Sequence, residues 1–182
     1  MGVVSAIILC PGASLISALR GLRTGSIAAP VLLGVNRAVV AWPCDYWCSL
    51  DAKSYNRIEP LGSPEYIIRW DQAPRLKPGS IRDLGCAKII RKRLDGYPRG
   101  VDYYSYSLLS AIAFLAVDRE MSNIDIYGAD MVGIVDWDGT KNDKPNRRAR
   151  DRWRREYAKL QVLCDYFDAQ GVNVNRCFLE DK

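Results

Sequence analysis

Residues 3–10 read Val-Val-Ser-Ala-Ile-Ile-Leu-Cys, a β-branched apolar run that stops at Pro11-Gly12. A strand of this kind has no polar face to turn toward water, so it must be covered on both sides. That requirement points to a parallel sheet with helices packed against it. Ser14 then precedes Leu15, Ala18, Leu19 and Leu22, a helical spacing for which Ser14 is a natural N-cap. Gly21 and Gly25 bracket the end of this helix.

The same alternation continues along the chain. Strands are expected at Val31–Val35, running into Asn36-Arg37-Ala38, at Tyr46–Leu50, stopping at Asp51, and at Glu65–Trp70. Residues 71–102 are broken up by Pro and Gly, with room for a short strand or helix between Arg82 and Leu94. Tyr103–Glu120 predicts a buried helix, and Asn123–Tyr127 a strand that ends at Gly128-Ala129-Asp130. Residues 136–146 form a polar loop. Arg147–Ala169 predicts a long helix with Trp153, Tyr157, Leu160, Leu163, Cys164 and Phe167 along its apolar face. Gly171 stands at its C-cap, and Val172–Val174 gives a last strand. Strands alternating with helices imply an α/β fold with a mainly parallel sheet and helices on both faces.

A length of 182 residues fits a single domain spanning 1–182. A chain of this size buries roughly 70% of its unfolded surface, so it needs no covalent staples. It contains no His, which excludes imidazole bases, Ser-His-Asp and Cys-His machinery and His-liganded metals. The six Cys sit mostly in apolar runs, and Cys44-x3-Cys48 has no second pair of matching spacing. This favours reduced buried thiols in a cytoplasmic protein over disulfides or zinc. The longest apolar run, Leu108–Val117 around Ser110, is about half a membrane span, and no signal peptide is expected. The net charge of +5 mildly favours anionic partners.

In parallel α/β sheets, ligands bind at the carboxyl ends of the strands. Here those ends carry Pro11-Gly12-Ala13-Ser14, Asn36-Arg37, Asp51 and Gly128-Ala129-Asp130. Gly12, Ala13 and Ser14 sit between a strand and a helix start, where backbone amides can approach a phosphate; an ordinary tight turn fits equally well. Asn36 suits a base edge or a ribose hydroxyl, or a turn. Asp51 and Asp130 could accept from a ribose or hold magnesium, or simply cap a helix. Asp136-x-Asp138-Gly139 reads as a solvated turn or as paired carboxylates for a divalent ion. Arg147, Arg148, Arg150, Arg152, Arg154 and Arg155 lie all round the helix start, with Arg148, Arg152 and Arg155 on a shared face. They form either a solvated basic face or a clamp for phosphates or DNA.

Taken in order, these segments resemble a known family. Pro11-Gly12-Ala13-Ser14-Leu15 is similar to the Gly-Pro-Ser-Leu loop of the hydroxymethylpterin-pyrophosphokinase-like and motility-associated-factor proteins, and of the related Campylobacter-type sialyltransferases. Val35-Asn36-Arg37-Ala38 resembles their second-strand Asn segment, and Cys44–Asp51 their Pro-Asp-x-x-x-x-x-Asp stretch. Tyr106–Glu120 followed by Ile124–Asp130 looks like their buried helix, strand and Gly-x-Asp. The resemblance implies a Rossmann-like transferase in which Gly12, Ala13 and Ser14 face phosphate and Asn36 the nucleoside. It also implies that Asp51 and Asp130 line the catalytic site, while the strand-end and helix-start readings add Arg37, Arg148 and Arg152 to the binding set. Ala13 departs from the family's Pro. The sialyltransferases use a His base, which this chain lacks, so Asp51, Asp130, Tyr103 or Tyr104 would have to substitute.

The function expected from this reading is a nucleotide-sugar-dependent glycosyltransferase, acting on a glycan, a small molecule or DNA, as in phage-encoded modification enzymes. The alternatives are a pyrophosphokinase-like transferase using ATP and magnesium, with Asp51, Asp130, Asp136 and Asp138 as metal ligands, and a non-catalytic nucleotide-binding module. A homo-oligomer is compatible with each.

Overall fold

A computed structural model describes residues 5–69, 87–90, 98–130, 137–139 and 147–177. The first apolar run forms β1 (Ser5–Leu9), followed by α1 (Leu15–Thr24), β2 (Val31–Val35) and a 3-10 turn at Asn36–Val40. Next come β3 (Tyr46–Cys48), α2 (Ala52–Tyr55), β4 (Glu65–Arg69) and β5 (Ala87–Ile90). The chain continues with α3 (Ser107–Ala113), β6 (Asn123–Tyr127), α4 (Arg147–Asp168) and β7 (Asn173–Arg176).

The seven strands form one sheet in the order β5-β4-β3-β2-β1-β6-β7, and every neighbouring pair is parallel. Strands are added outward from β1 to β5; the chain then crosses back and lays β6 on the other side of β1. The architecture is α/β and Rossmann-like. The carboxyl ends of β1 and β6 are thus the switch point, the place whose crevice binds ligands in sheets of this kind.

Strand β1 shows why the sheet must be covered twice. Ala6 and Ile8 pack with Leu33, Val35 and Ile126 under α3 and under Leu160, Leu163 and Phe167 of α4. Ile7 and Leu9 face the other way, against Leu15, Ala18 and Leu19 of α1. Ile8 is wholly buried; burying a side chain of that size stabilises by about 1.5–3 kcal/mol. Farther out on the α1 side, Trp47, Tyr55 and Tyr66 form an aromatic cluster, with the Trp47 and Tyr55 rings 4.5 Å apart. The Tyr55 hydroxyl accepts from the Ser49 amide at 2.7 Å and donates to the Ile67 carbonyl, tying the end of β3 to β4.

Several expected elements shift for local reasons. The helix expected from Tyr103 begins only at Ser107, because Asp102 turns the preceding segment: its carboxylate accepts from the Ser105 amide at 3.0 Å and hydroxyl at 2.6 Å. Past Ala113 the helix widens into a π-helical turn, Phe114–Asp118, in which the Arg119 amide reaches back to the Phe114 carbonyl. Strand β3 stops at Cys48, two residues short of the expected Leu50. The last strand runs on to Arg176, since an edge strand with alternating exposure needs no continuous apolar run. In α4 the inward stripe is Glu156, Leu160, Leu163 and Phe167, while Tyr157, expected on that face, is 45% exposed. Strand β5 falls within the segment expected to hold a short element, and residues 70–86 and 140–146 lie outside the described residues.

Candidate functional site

The loop after β1 and the loop after β6 interlock at the crevice. The Gly12 amide donates to the Gly128 carbonyl at 2.9 Å, and the Cys10 amide to the Tyr127 carbonyl at 2.7 Å. A side chain at either glycine would collide with this contact: a Cβ at Gly12 would lie 2.4 Å from the Gly128 carbonyl oxygen, and one at Gly128 2.0 Å from that of Cys10. The glycines are therefore required for backbone to meet backbone.

Ser14 precedes α1, yet its side chain does not cap the helix. Its amide donates to Asp130 Oδ2 at 2.9 Å and its hydroxyl to Asp130 Oδ1. A carboxylate from a distant strand thus sits at the helix N-terminus, where negative charge is favoured. This corrects the N-cap expected of Ser14. It also means that the α1 N-terminus already holds one anion. Of the loop, Ala13 is the exposed residue. Asp130, half-buried, is left with lone pairs that can accept from a ligand hydroxyl.

The ends of β2 and β3 are joined to the start of α3 through Ser107. Asn36 takes a left-handed backbone, φ 51°, and its Oδ1 accepts from the Ser107 hydroxyl at 3.1 Å. The Ser107 hydroxyl in turn accepts from the Leu50 amide at 3.1 Å. Asn36 Nδ2 has no partner among the described residues and is left as a donor, suited to a base edge or a ribose oxygen. Asp51 caps α2, accepting from the Lys53 amide at 2.9 Å, and is exposed. Its capping role explains the residue without a ligand.

Arg37 pairs with Asp138 at 2.7 Å, and the Trp137 amide donates to the Pro11 carbonyl at 3.0 Å. The chain beyond β6 therefore folds back over the loop after β1. Asp138 faces a cation of the protein itself, and Asp136 lies outside the described residues. Among the described residues, no three Asp, Glu or Cys side chains gather in a cluster fit for a metal ion.

One group here was not expected from the sequence. Glu156, on the inward stripe of α4, is only 7% exposed, and its Oε2 has no hydrogen-bond partner among the described residues. Arg152, one turn earlier, is its ion-pair partner at 4.0 Å. Burial pushes the Glu156 carboxyl up to about 7, with Arg152 opposing. Its charge acts on Cys10, the first residue after β1. Burial raises that thiol most, and the charges of Glu156 and Asp130 add to the rise while Arg176 opposes it. The charges of two carboxylates and a guanidinium therefore act on the thiol at the carboxyl end of the central strand. Arg176 also donates to the Ala129 carbonyl at 2.7 Å, bracing the loop that carries Asp130. The signal was in the spacing: position 156 lies three residues after Trp153 and four before Leu160, inside the apolar stripe.

Of the remaining candidates, Arg152 lies over the Tyr106 ring at 5.8 Å, near the start of α3. Arg155 turns back to the Asp151 carbonyl at 3.2 Å in solvent. The side chain of Arg148 lies outside the described residues. Tyr103 is buried in the core, and Tyr104 is half-buried beside it, ring centroids 5.6 Å apart. The cysteines at 10, 44, 48, 164 and 177 are free thiols. Burial pushes Cys44 up to about 12, with Asp45 adding, so it is a poor thiolate at neutral pH. Among the described residues, no helix is long and apolar enough to cross a membrane. No family model, curated protein or solved structure matches this chain.

Proposed function

We propose that the chain is a nucleotide-sugar-dependent transferase whose donor lies across the carboxyl ends of β1, β2 and β6. The observation that carries this reading is the interlock of Gly12 and Ser14 with Gly128 and Asp130 at the point where the strand order reverses. The resemblance of these same loops to Rossmann-like transferases supports it. Asn36 Nδ2 would meet the nucleoside, and the free lone pairs of Asp130 a sugar hydroxyl. Because Asp130 already occupies the α1 N-terminus, the phosphates would lie beyond Ser14 at Ala13, with Arg37 and Arg152 as candidates for charge balance. Such a site favours a hydroxyl-rich ligand over a bare phosphate.

An ATP- and magnesium-dependent pyrophosphotransfer is the second reading. It has less support, since Asp51 caps α2 and Asp138 faces Arg37. The test is a thermal-shift panel of CMP, ATP, nucleoside diphosphates and nucleotide-sugars, with and without magnesium. A ligand at 100 times its Kd stabilises the fold by about 2.7 kcal/mol. Stabilisation by nucleotide-sugars beyond that given by free nucleotides supports the proposal; no shift with any of them overturns it.

A further inference from the structure

We propose that Glu156 is the general base of this site, accepting the proton of the acceptor hydroxyl during transfer. The inference rests on the nucleotide-sugar reading above and supplies the base that a chain without His otherwise lacks. Three observations lead to it. Helix α4 connects β6 to the parallel β7, so its first turns lie at the carboxyl ends of the strands, the ligand side of the sheet. Glu156 points inward from those turns and is more than nine-tenths buried. Its Oε2 makes no hydrogen bond among the described residues, although the other polar groups of the crevice, Ser14, Asp130, Asn36 and Ser107, are bonded to one another in pairs.

A buried carboxyl held without a hydrogen bond is costly for folding alone. It is well placed to take up a proton. The oxygen of the acceptor hydroxyl bonds to the anomeric carbon of the donor. The bond from that carbon to the nucleotide's phosphate oxygen breaks, and its electron pair stays with the phosphate. The hydroxyl proton passes to Glu156 Oε2 and from there to water. The charge that acts on Glu156 is Arg152 on its own helix, whose guanidinium also lies over the Tyr106 ring before α3, and Glu156 in turn acts on the Cys10 thiol after β1, together with Asp130 after β6 and Arg176 of β7. Lys159, one turn on, is held by Asp102. With burial raising the carboxyl to about 7, Glu156 is half ionised near neutrality, where a general base works best.

The experiment follows hydrolysis of CMP-, UDP- and GDP-linked sugars, with water as acceptor, from pH 5 to 9 in wild type and Glu156→Gln. In wild type, kcat should rise with pH and level off above about 7. In Glu156→Gln, kcat should fall about 100-fold, the rise with pH should vanish, and the donor KM should stay within twofold. A Gln variant that keeps the wild-type rate and pH profile overturns the role of Glu156 and leaves the donor reading standing. Absence of both binding and turnover for every nucleotide-sugar in wild type overturns both. Should the variant not fold, carbon-13 NMR of the wild-type Glu156 carboxyl decides: saturating CMP or UDP must raise its titration midpoint. An unchanged midpoint with nucleotide bound overturns the proposal.

Discussion

The Asp130 carboxylate holds both the amide and the hydroxyl of Ser14 across 116 residues of sequence. The loop after the first strand is therefore closed only once β6 has returned to the centre of the sheet. Replacing Asp130 by Ala leaves the Ser14 amide and the α1 N-terminus without their acceptor, which should cost about 1–3 kcal/mol. Asp130→Asn keeps one acceptor oxygen and should cost less, while both variants lose nucleotide affinity. Urea unfolding of the three proteins, with binding measured in parallel, checks this order. Equal stability of Asp130→Ala and wild type would mean the contact contributes nothing.

The glycine contact makes a sharper comparison. Gly128 combines a left-handed backbone, φ 76°, with a Cβ position 2.0 Å from the Cys10 carbonyl oxygen. Gly25 has nearly the same backbone, φ 73°, but open space around its Cβ. Gly25→Ala should therefore cost only the conformational term, about 1–2 kcal/mol. Gly128→Ala must also push two strand ends apart, so it should lower Tm by at least twice as much or abolish folding. Similar Tm losses for the two variants would show that the loops can separate cheaply.

Much of this was legible in the sequence, and the exceptions share a cause. The central strands could be read because Ile7, Ile8 and Leu9 face two apolar layers and leave a continuous apolar run. Gly12, Ser14, Asn36 and Asp130 could be located because strand ends are where polar residues interrupt such runs. What Ser14 and Asp51 do there could not be read. Each is an ordinary capping residue type, yet only Asp51 caps through its side chain, and Ser14 is engaged by a carboxylate from the loop after β6. Glu156 was hidden by the assumption that a charged side chain in a helix faces solvent. The turn at Asp102 was hidden because the bonds from Ser105 that stop the helix are local and leave the helical spacing of the apolar residues untouched.

Glu156 should also set the pH dependence of stability. Its carboxyl is raised in the folded protein to about 7 from an ordinary value of 4.5. A raised group favours the native state fully below the unfolded value and loses that contribution as pH rises through the folded one. Wild type should thus become less stable between about pH 4.5 and 7, by about 3 kcal/mol at most from this group, at 1.36 kcal/mol per unit. Glu156→Gln removes the dependence and should gain on wild type as pH rises from 5 to 8. Urea midpoints at the two pH values test it; a constant difference between variant and wild type would place the carboxyl in water.

Arg152 links the charge of the α4 start to that same carboxyl. Its guanidinium lies over Tyr106 on one side and 4.0 Å from Glu156 on the other, whereas Arg155 points to solvent and back to its own helix. The arginine density of this helix start therefore divides into different roles. Arg152→Gln removes the one cation that lowers Glu156, so the carboxyl should titrate at a higher pH than in wild type. The acidic limb of any rate profile should move the same way. On the proposed nucleotide reading, the same substitution should also lower nucleotide affinity and flatten its dependence on salt. Arg155→Gln should leave titration, affinity and salt dependence unchanged, because its guanidinium bonds back to the Asp151 carbonyl of its own helix and does not engage Glu156 or Tyr106. Measuring nucleotide affinity at several salt concentrations, with the NMR titration of Glu156, separates the two residues. If both variants behave alike, the arginines act only as a solvated basic surface.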